Sequence, residues 1–306
     1  MRLTLPPLIG ASMGALLALC AAPASADEFW KYWGDGKAEL DGYALTQPRY
    51  GAPRDGKAVL IFVTEDFSDS LRVKADPGRH PASDVYPVLK LNFVRKFQTG
   101  IYDYSVLTST FARTEHDFAV TKTSFSSQEW CGHVYAQLLE RGDRLTGEAH
   151  SYFDGEADRP LDLPSPPNGV QEDALPILLR GLRGEWLKPG ETRTVPLLPS
   201  MVRARFAHKP QTWGEATFTR AEPRMMTSRR LPSMGQFRAF TVTMQEKDGD
   251  VVTWTIEDAY PHRILAWVST SGEKGELLGS ARLPYWQLNQ PGGEANLKLL
   301  GLAQKQ

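Results

Sequence analysis

From Lys57 to Phe153 the chain repeats one pattern. A run of apolar, β-branched and aromatic residues ends at a very short break, and another run follows. The runs are "KAVLIFVTEDF" (57–67), "VLKLNFVRKFQ" (88–98), "IYDYSVLTSTFA" (101–112), "FAVTKTSFSSQ" (118–128), "GHVYAQLLER" (132–141) and "RLTGEAHSYF" (144–153). Alternation with period two and Gly, Asp or Pro between runs is the signature of strands. Strands joined by tight turns must pair antiparallel, because a parallel pair needs a long crossover. A meander is therefore imposed on this half before any other feature is considered.

The pattern resumes later, in "TRTVPLLP" (192–199), "WGEATFTRAE" (213–222), "QFRAFTVTMQE" (236–246), "VVTWTIEDAY" (251–260), "HRILAWVST" (262–270) and "GELLGSARLPYWQL" (275–288). Between the halves lies "DRPLDLPSPPNG" (158–169), too rich in proline for a helix or a central strand. One helix is predicted after it, over "EDALPILLRGLRGEW", with Asp173 as cap, Pro176 in the first turn and an apolar stripe of Leu175, Leu178, Leu179 and Leu182. The tail "GGEANLKLLGLAQKQ" has weak helical spacing and is expected to fray. The fold expected is mainly β: an antiparallel, strongly curved sheet or partly open β-barrel with one covering helix. Its parts are a leader (1–26), a first β half (27–157), a proline-rich linker (158–169) and a helix with a second β half (170–306). The two halves are expected to form one continuous unit.

The leader reads as a secretory signal. Arg2 precedes an apolar run, and Ala24-Ser25-Ala26 stands before Asp27. Cleavage after Ala26 and a periplasmic or secreted location are expected. Lipidation at Cys20 is the lesser alternative, since Leu19 before it is not small. The folded part then keeps a single thiol, Cys131, so no disulfide forms within it. A formal net charge of −1 gives no field that favours nucleic acid. No later run is apolar enough to cross a bilayer as a helix.

Two segments carry candidate chemistry. A two-residue turn at Gly142-Asp143 would set Arg141 opposite Arg144, and hence Tyr135 opposite His150. In that register Cys131, His133, His150 and Asp154 share one face with cross-strand neighbours about 5 Å apart. Such a set suits zinc or copper, or an activated thiolate. The simpler reading makes Cys131 a buried structural residue, with Trp130 and Val134 facing the core. No cofactor is expected, zinc or copper being the minority possibility. The second segment is basic: Arg203, Arg205, Lys209, Arg220, Arg224, Arg229 and Arg230 stand against Glu215 and Glu222 alone. These arginines could meet anionic lipid or another envelope component, or form solvated loops. No nucleophile elbow, phosphate loop, zinc-protease motif or dinucleotide fingerprint is present.

"EDALPILLRGLRGEWLKPGETRTVPLL", "RLPSMGQFRAFTVTM" and "VVTWTIEDAYPHRILAW" resemble the bacterial exported proteins of domain of unknown function 3108. The matching positions are Asp173, Arg180 or Arg183, Leu187 to Gly190, Gly235 with Phe237, Trp254, and Pro261 with His262. The resemblance spans roughly residues 170–290 and implies an exported antiparallel β fold. It supplies no catalytic residue. The whole chain also resembles chains labelled Maf-type septum formation inhibitors. That label conflicts with the leader, the few helices and the missing Ser-Pro-Arg-Arg motif. The function expected is non-enzymatic binding of an apolar or lipid-like ligand in the sheet concavity, with Trp254, Trp267, Tyr285 and Trp286 as its aromatic surface. The rivals are a metal- or thiol-dependent enzyme on Cys131 and His133, and a structural envelope component.

Overall fold

The structure is a computed structural model and describes residues 24–227 and 236–302. Among these, sixteen strands form one sheet that is not closed into a barrel. The first half is a meander: β1 (Ala38–Arg49), β2 (Ala52–Ser68), β3 (Val85–Thr99), β4 (Tyr102–Arg113), β5 (Val120–Glu129), β6 (Gly132–Arg141), β7 (Arg144–Ser151) and β8 (Arg159–Pro164). The second half holds β9 (Val170–Gln171), β10 (Thr192–Leu198), β11 (Gly214–Arg220), β12 (Arg224–Thr227), β13 (Gln236–Glu246), β14 (Val251–Glu257), β15 (Ile264–Ser269) and β16 (Lys274–Leu283). The order runs β8 to β1, then β16 to β13, β11, β10 and β9, with β12 beside β13. Only β9 and β10 pair in parallel among these strands.

Tight turns fix the register as the sequence predicts. Gly142 has φ 73° in the β6–β7 turn, Arg141 faces Arg144, and Tyr135 faces His150. The proline-rich segment supplies β8 at one end of the sheet, where missing N–H groups cost least. The sheet curls so that its halves share a core. Leu60 and Phe62 of β2 and Leu91 of β3 pack in one cluster with Leu197, Phe218 and Val242.

Three expectations fail. The helix predicted over 172–186 is one short turn, α2 (Leu175–Leu178), preceded by a 3-10 turn at Glu172–Ala174. Gly181 sits at φ 59° and the chain turns back there. Leu175, Leu179 and Leu182 are still buried, whereas Leu178 is half-buried. Asp173 does not cap this turn; its carboxylate serves a different helix, α3 (Met201–Ala207). That helix falls in the segment expected to be basic loop. Ser200 caps it by accepting from Val202 N, and Met201 and Val202 enter the core beside Phe97 and Leu138. The tail is docked rather than frayed through Leu302. Leu300 and Leu302 are buried, and a Cβ on Gly42 or Gly279 would strike the backbone carbonyl of Leu300 or Leu299.

A third helix, α1 (Ala24–Trp33), begins the described chain. Phe29 and Trp33 are fully buried, and Trp33 Nε1 donates to Tyr260 Oη at 3.1 Å. Among the described residues no helix is long and apolar enough to cross a membrane.

Candidate functional site: a cavity between the sheet halves

A cavity of about 360 Å³ opens where the halves face each other. Leu60 of β2 and Phe93 of β3 form one wall; Val252, Trp254, Ile264 and Trp267 of β14 and β15 form the other. Alternation puts Val252 and Trp254 inward on β14, and a register shift opposite Thr255 and Ile256 brings Ile264 to the same side as Trp267 on β15. Trp254 and Trp267 are cross-strand partners, and the Phe93 and Trp267 rings meet edge to face at 5.5 Å. Trp267 lies across its neighbour strand because position 275 is glycine: a Cβ there would collide with the indole. Val202 and Phe206 of α3 cover one side.

About half of the lining residues are polar, and most of these are paired. Glu172 accepts from Ser200 N at 2.8 Å, and Asp173 from Met201 N at 3.0 Å, so both hold the start of α3. Arg203 bridges Glu172 and Glu246, at 2.6 Å each. Burial pushes the Glu172 carboxyl up to about 7, although Arg203 pulls it down. Burial likewise raises Asp173 against the Met201 N–H. Asp250 accepts from Ser271 N and Ser271 Oγ, both at 2.9 Å, and from the hydroxyls of Ser269 and Thr270. Burial would raise its pKa, but these donors outweigh it and the pKa is lowered. Glu273 accepts from Trp267 Nε1 at 2.9 Å.

Arg95 of β3 differs. Its residue is 6% exposed, and its guanidinium lies 3.4 Å above the Phe93 ring. Nη2 stands 3.9 Å from Glu273, too long for a hydrogen bond, and Nε and Nη1 have no acceptor among the described residues. Burial lowers its pKa, opposed by Glu273, Asp173 and Glu172.

A second buried charge cluster lies deeper. Arg180, 1% exposed, pairs with Glu39 at 2.7 Å and donates Nε and Nη2 to the Pro261 carbonyl at 3.0 and 2.8 Å. Tyr32 Oη donates to Glu39 at 2.7 Å. Asp41 is buried beside them, and burial, then Glu39, pushes its carboxyl up to about 8. Burial would lower Arg180, but Glu39 and Asp41 outweigh it and raise the pKa. This cluster ties β1 to the turn after α2 and to the segment after β14.

The residues predicted from sequence scatter. Trp254 and Trp267 line the cavity. Tyr285 and Trp286 sit in a 3-10 turn after β16, outside the lining; Trp286 is 44% exposed. Cys131 is exposed, which corrects the expectation of a buried thiol, because Trp130 and Cys131 form the two-residue turn between Glu129 and Gly132. Trp130 is 69% exposed and only Val134 faces the core. The Glu129 carboxylate accepts from Cys131 N at 2.7 Å, and its hydrogen bond to the thiol, with slight burial, raises the thiol pKa. His133 is exposed, His150 stacks on Tyr135 and lies near Glu148 and Asp158, and Asp154 accepts from Gly155 N in its own turn. Ladder pairing of β6 with β7 stops at Val134 and Ser151, so it never reaches Cys131 or Asp154. Among the described residues no group of three or more His, Cys, Asp or Glu side chains is placed to hold a metal ion.

The basic residues are largely used inside the fold. Arg203 is in the Glu172 bridge, Arg205 pairs with Glu156 at 3.0 Å, and buried Arg220 pairs with Glu185 at 2.7 Å. Arg224 is exposed on β12, while Arg229 and Arg230 lie outside the described residues, as do Cys20 and Gly235. Arg95 escaped the sequence reading. A signal was present: it shares parity with Leu91, Phe93 and Phe97, an apolar inward face.

No family model and no curated protein matches the chain, so neither the domain of unknown function 3108 nor the Maf label gains support. A crystal structure of a DUF1089 family protein from Pseudomonas aeruginosa is similar at 9% identity, over 57% of this chain and 82% of that chain, with a TM-score of 0.34. A likeness of that size carries no argument about fold or function.

Proposed function

We propose that this is an exported, non-enzymatic protein that binds an apolar or lipid-like small molecule between its sheet halves. The observation that carries the reading is the cavity walled by Leu60, Phe93, Trp254 and Trp267. Mostly apolar concave sites with a few placed polar groups, of ~300–1,000 Å³, are where small ligands bind. Export rests on Arg2, the apolar run and Ala24-Ser25-Ala26. Cleavage after Ala26 would leave the buried anchors Phe29 and Trp33 on the mature chain. Arg224, with Arg229 and Arg230, is the basic group left for an anionic envelope surface.

Protein purified from its native envelope should start at Asp27 and release a co-purifying apolar molecule on solvent extraction. Added 1-dodecanol should change tryptophan emission in the wild type, and less so in Trp254→Leu. An emission change that survives loss of Trp254 and Trp267 alike, or no response to any apolar probe, would remove the reading.

A further inference from the structure

Setting aside Arg203 Nη2, which is ion-paired, two side chains lining the cavity have incomplete bonding: Arg95, and Gln47, whose Oε1 has no donor among the described residues. Glu172, Asp173, Asp250 and Glu273 each accept a hydrogen bond from the protein. Arg95, more buried than these, has two nitrogens with no acceptor among the described residues, Nε on its side edge and Nη1 at its end. Arg95 lacks acceptors at two nitrogens whereas Gln47 lacks a single donor, so a partner that mainly accepts suits the site better than a cation. A charged acceptor makes stronger bonds to a guanidinium than a neutral one. Its charge must be small, because four carboxylates already line the space against Arg95 and Arg203, and a dianion would be repelled twice over. The volume, about 360 Å³, lies near the lower end of the range for ligand clefts. It suits one alkyl chain better than two.

We propose that Arg95 anchors the carboxylate of a single-chain amphiphile whose tail lies along Trp254 and Trp267. This rests on the binding function above and adds a head group to it. The indoles then supply apolar surface, and the guanidinium on its Phe93 platform orients the chain with its head toward β3.

The test compares three probes of equal chain length at pH 8, below their aggregation thresholds, by tryptophan emission and calorimetry: dodecanoate, 1-dodecanol and dodecyl phosphate. The wild type should bind dodecanoate about tenfold or more tighter than 1-dodecanol, the range for a bond to a charged group. In Arg95→Met dodecanoate should bind no tighter than 1-dodecanol. If that variant does not fold, Arg95→Lys, which keeps charge but not the planar fork, should keep only part of the preference. Equal wild-type affinities for acid and alcohol, a full preference in either variant, or tighter binding of the phosphate would overturn the proposal. Failure of all three probes to bind would instead remove the binding function beneath it.

Discussion

Arg95 and Arg180 are both buried arginines, each resting on an aromatic ring, yet they do opposite things. Arg180 sits 4.4 Å above Phe62 and is locked by Glu39 and the Pro261 carbonyl. Its surroundings raise its pKa; those of Arg95 lower it. Burial of a charge is therefore not what separates a site from a scaffold. The difference is how far the protein itself completes the charge. Arg180 keeps an orphaned Nη1 but has a carboxylate at 2.7 Å and a carbonyl, and it joins strands; Arg95 has neither kind of contact, with Nε and Nη1 unpartnered and Glu273 3.9 Å away, and it lines a cavity.

Removing Arg180 should give the largest effect. Arg180→Met strands Glu39 and Asp41 without a cation and should cost about 3–5 kcal/mol, the range for breaking a buried pair. Chemical denaturation checks this; a loss under about 1 kcal/mol would mean the cluster is not a clamp. Next comes the packing around it. Leu182→Ala should cost about 2–5 kcal/mol, and half-buried Leu178→Ala clearly less. Equal losses would show that the short turn at α2 packs differently.

Stability should also fall with rising pH. A carboxyl whose folded pKa is raised keeps its proton in the folded state after the unfolded chain has lost it. The contribution of Glu172 and Asp41 is thus fully present below about pH 4, where unfolded carboxyls titrate. It is lost as pH rises through the folded values, about 7 and about 8. Asp41→Asn and Glu172→Gln should each flatten the pH dependence of the unfolding free energy between pH 5 and 8, by on the order of 2 kcal/mol over the window. An unchanged slope in both would refute the assignment. On the other side of the comparison the sign reverses: Arg95→Met should raise ligand-free stability by about 1 kcal/mol, since an incompletely paired charge is replaced by an apolar chain. A destabilised Arg95→Met would show that Glu273 alone completes the charge.

The smallest effect is expected at Cys131, in an exposed turn. Cys131→Ser should leave the melting curve unchanged. The thiol should still label slowly near neutral pH, because Glu129 disfavours the thiolate. Glu129→Gln should speed labelling; no acceleration would remove Glu129 as the cause.

Much of the sheet was legible because its information is local. Period-two runs and the Gly142-Asp143 turn set strands and register without distant partners. Trp254 and Trp267 could be marked as aromatic wall residues for the same reason. What was not legible depends on distance along the chain. Nothing near Arg180 announces Glu39, and nothing near Glu273 announces Arg95. The leucine stripe of 175–182 was real, but Gly181 decided that it would not be a helix. The proposed metal face failed for a geometric reason: a two-residue turn takes Trp130 and Cys131 out of the strand that carries His133.

The seam between the halves has a consequence for the order of events during synthesis. β1 pairs on one side with β2 and on the other with β16. The outer strands of the first half can zip up by nearest-neighbour hairpins as they emerge. The seam must wait for β16, the last of the described strands, and long-range pairing of this kind is slow. Until then one edge of β1 is an open template, and Leu60 and Phe93 lack the opposite wall. A nascent chain of this protein therefore carries a sticky edge until β16 has been made. Any holding factor that shields that edge would act on the first half of the chain and be released by the arrival of β16.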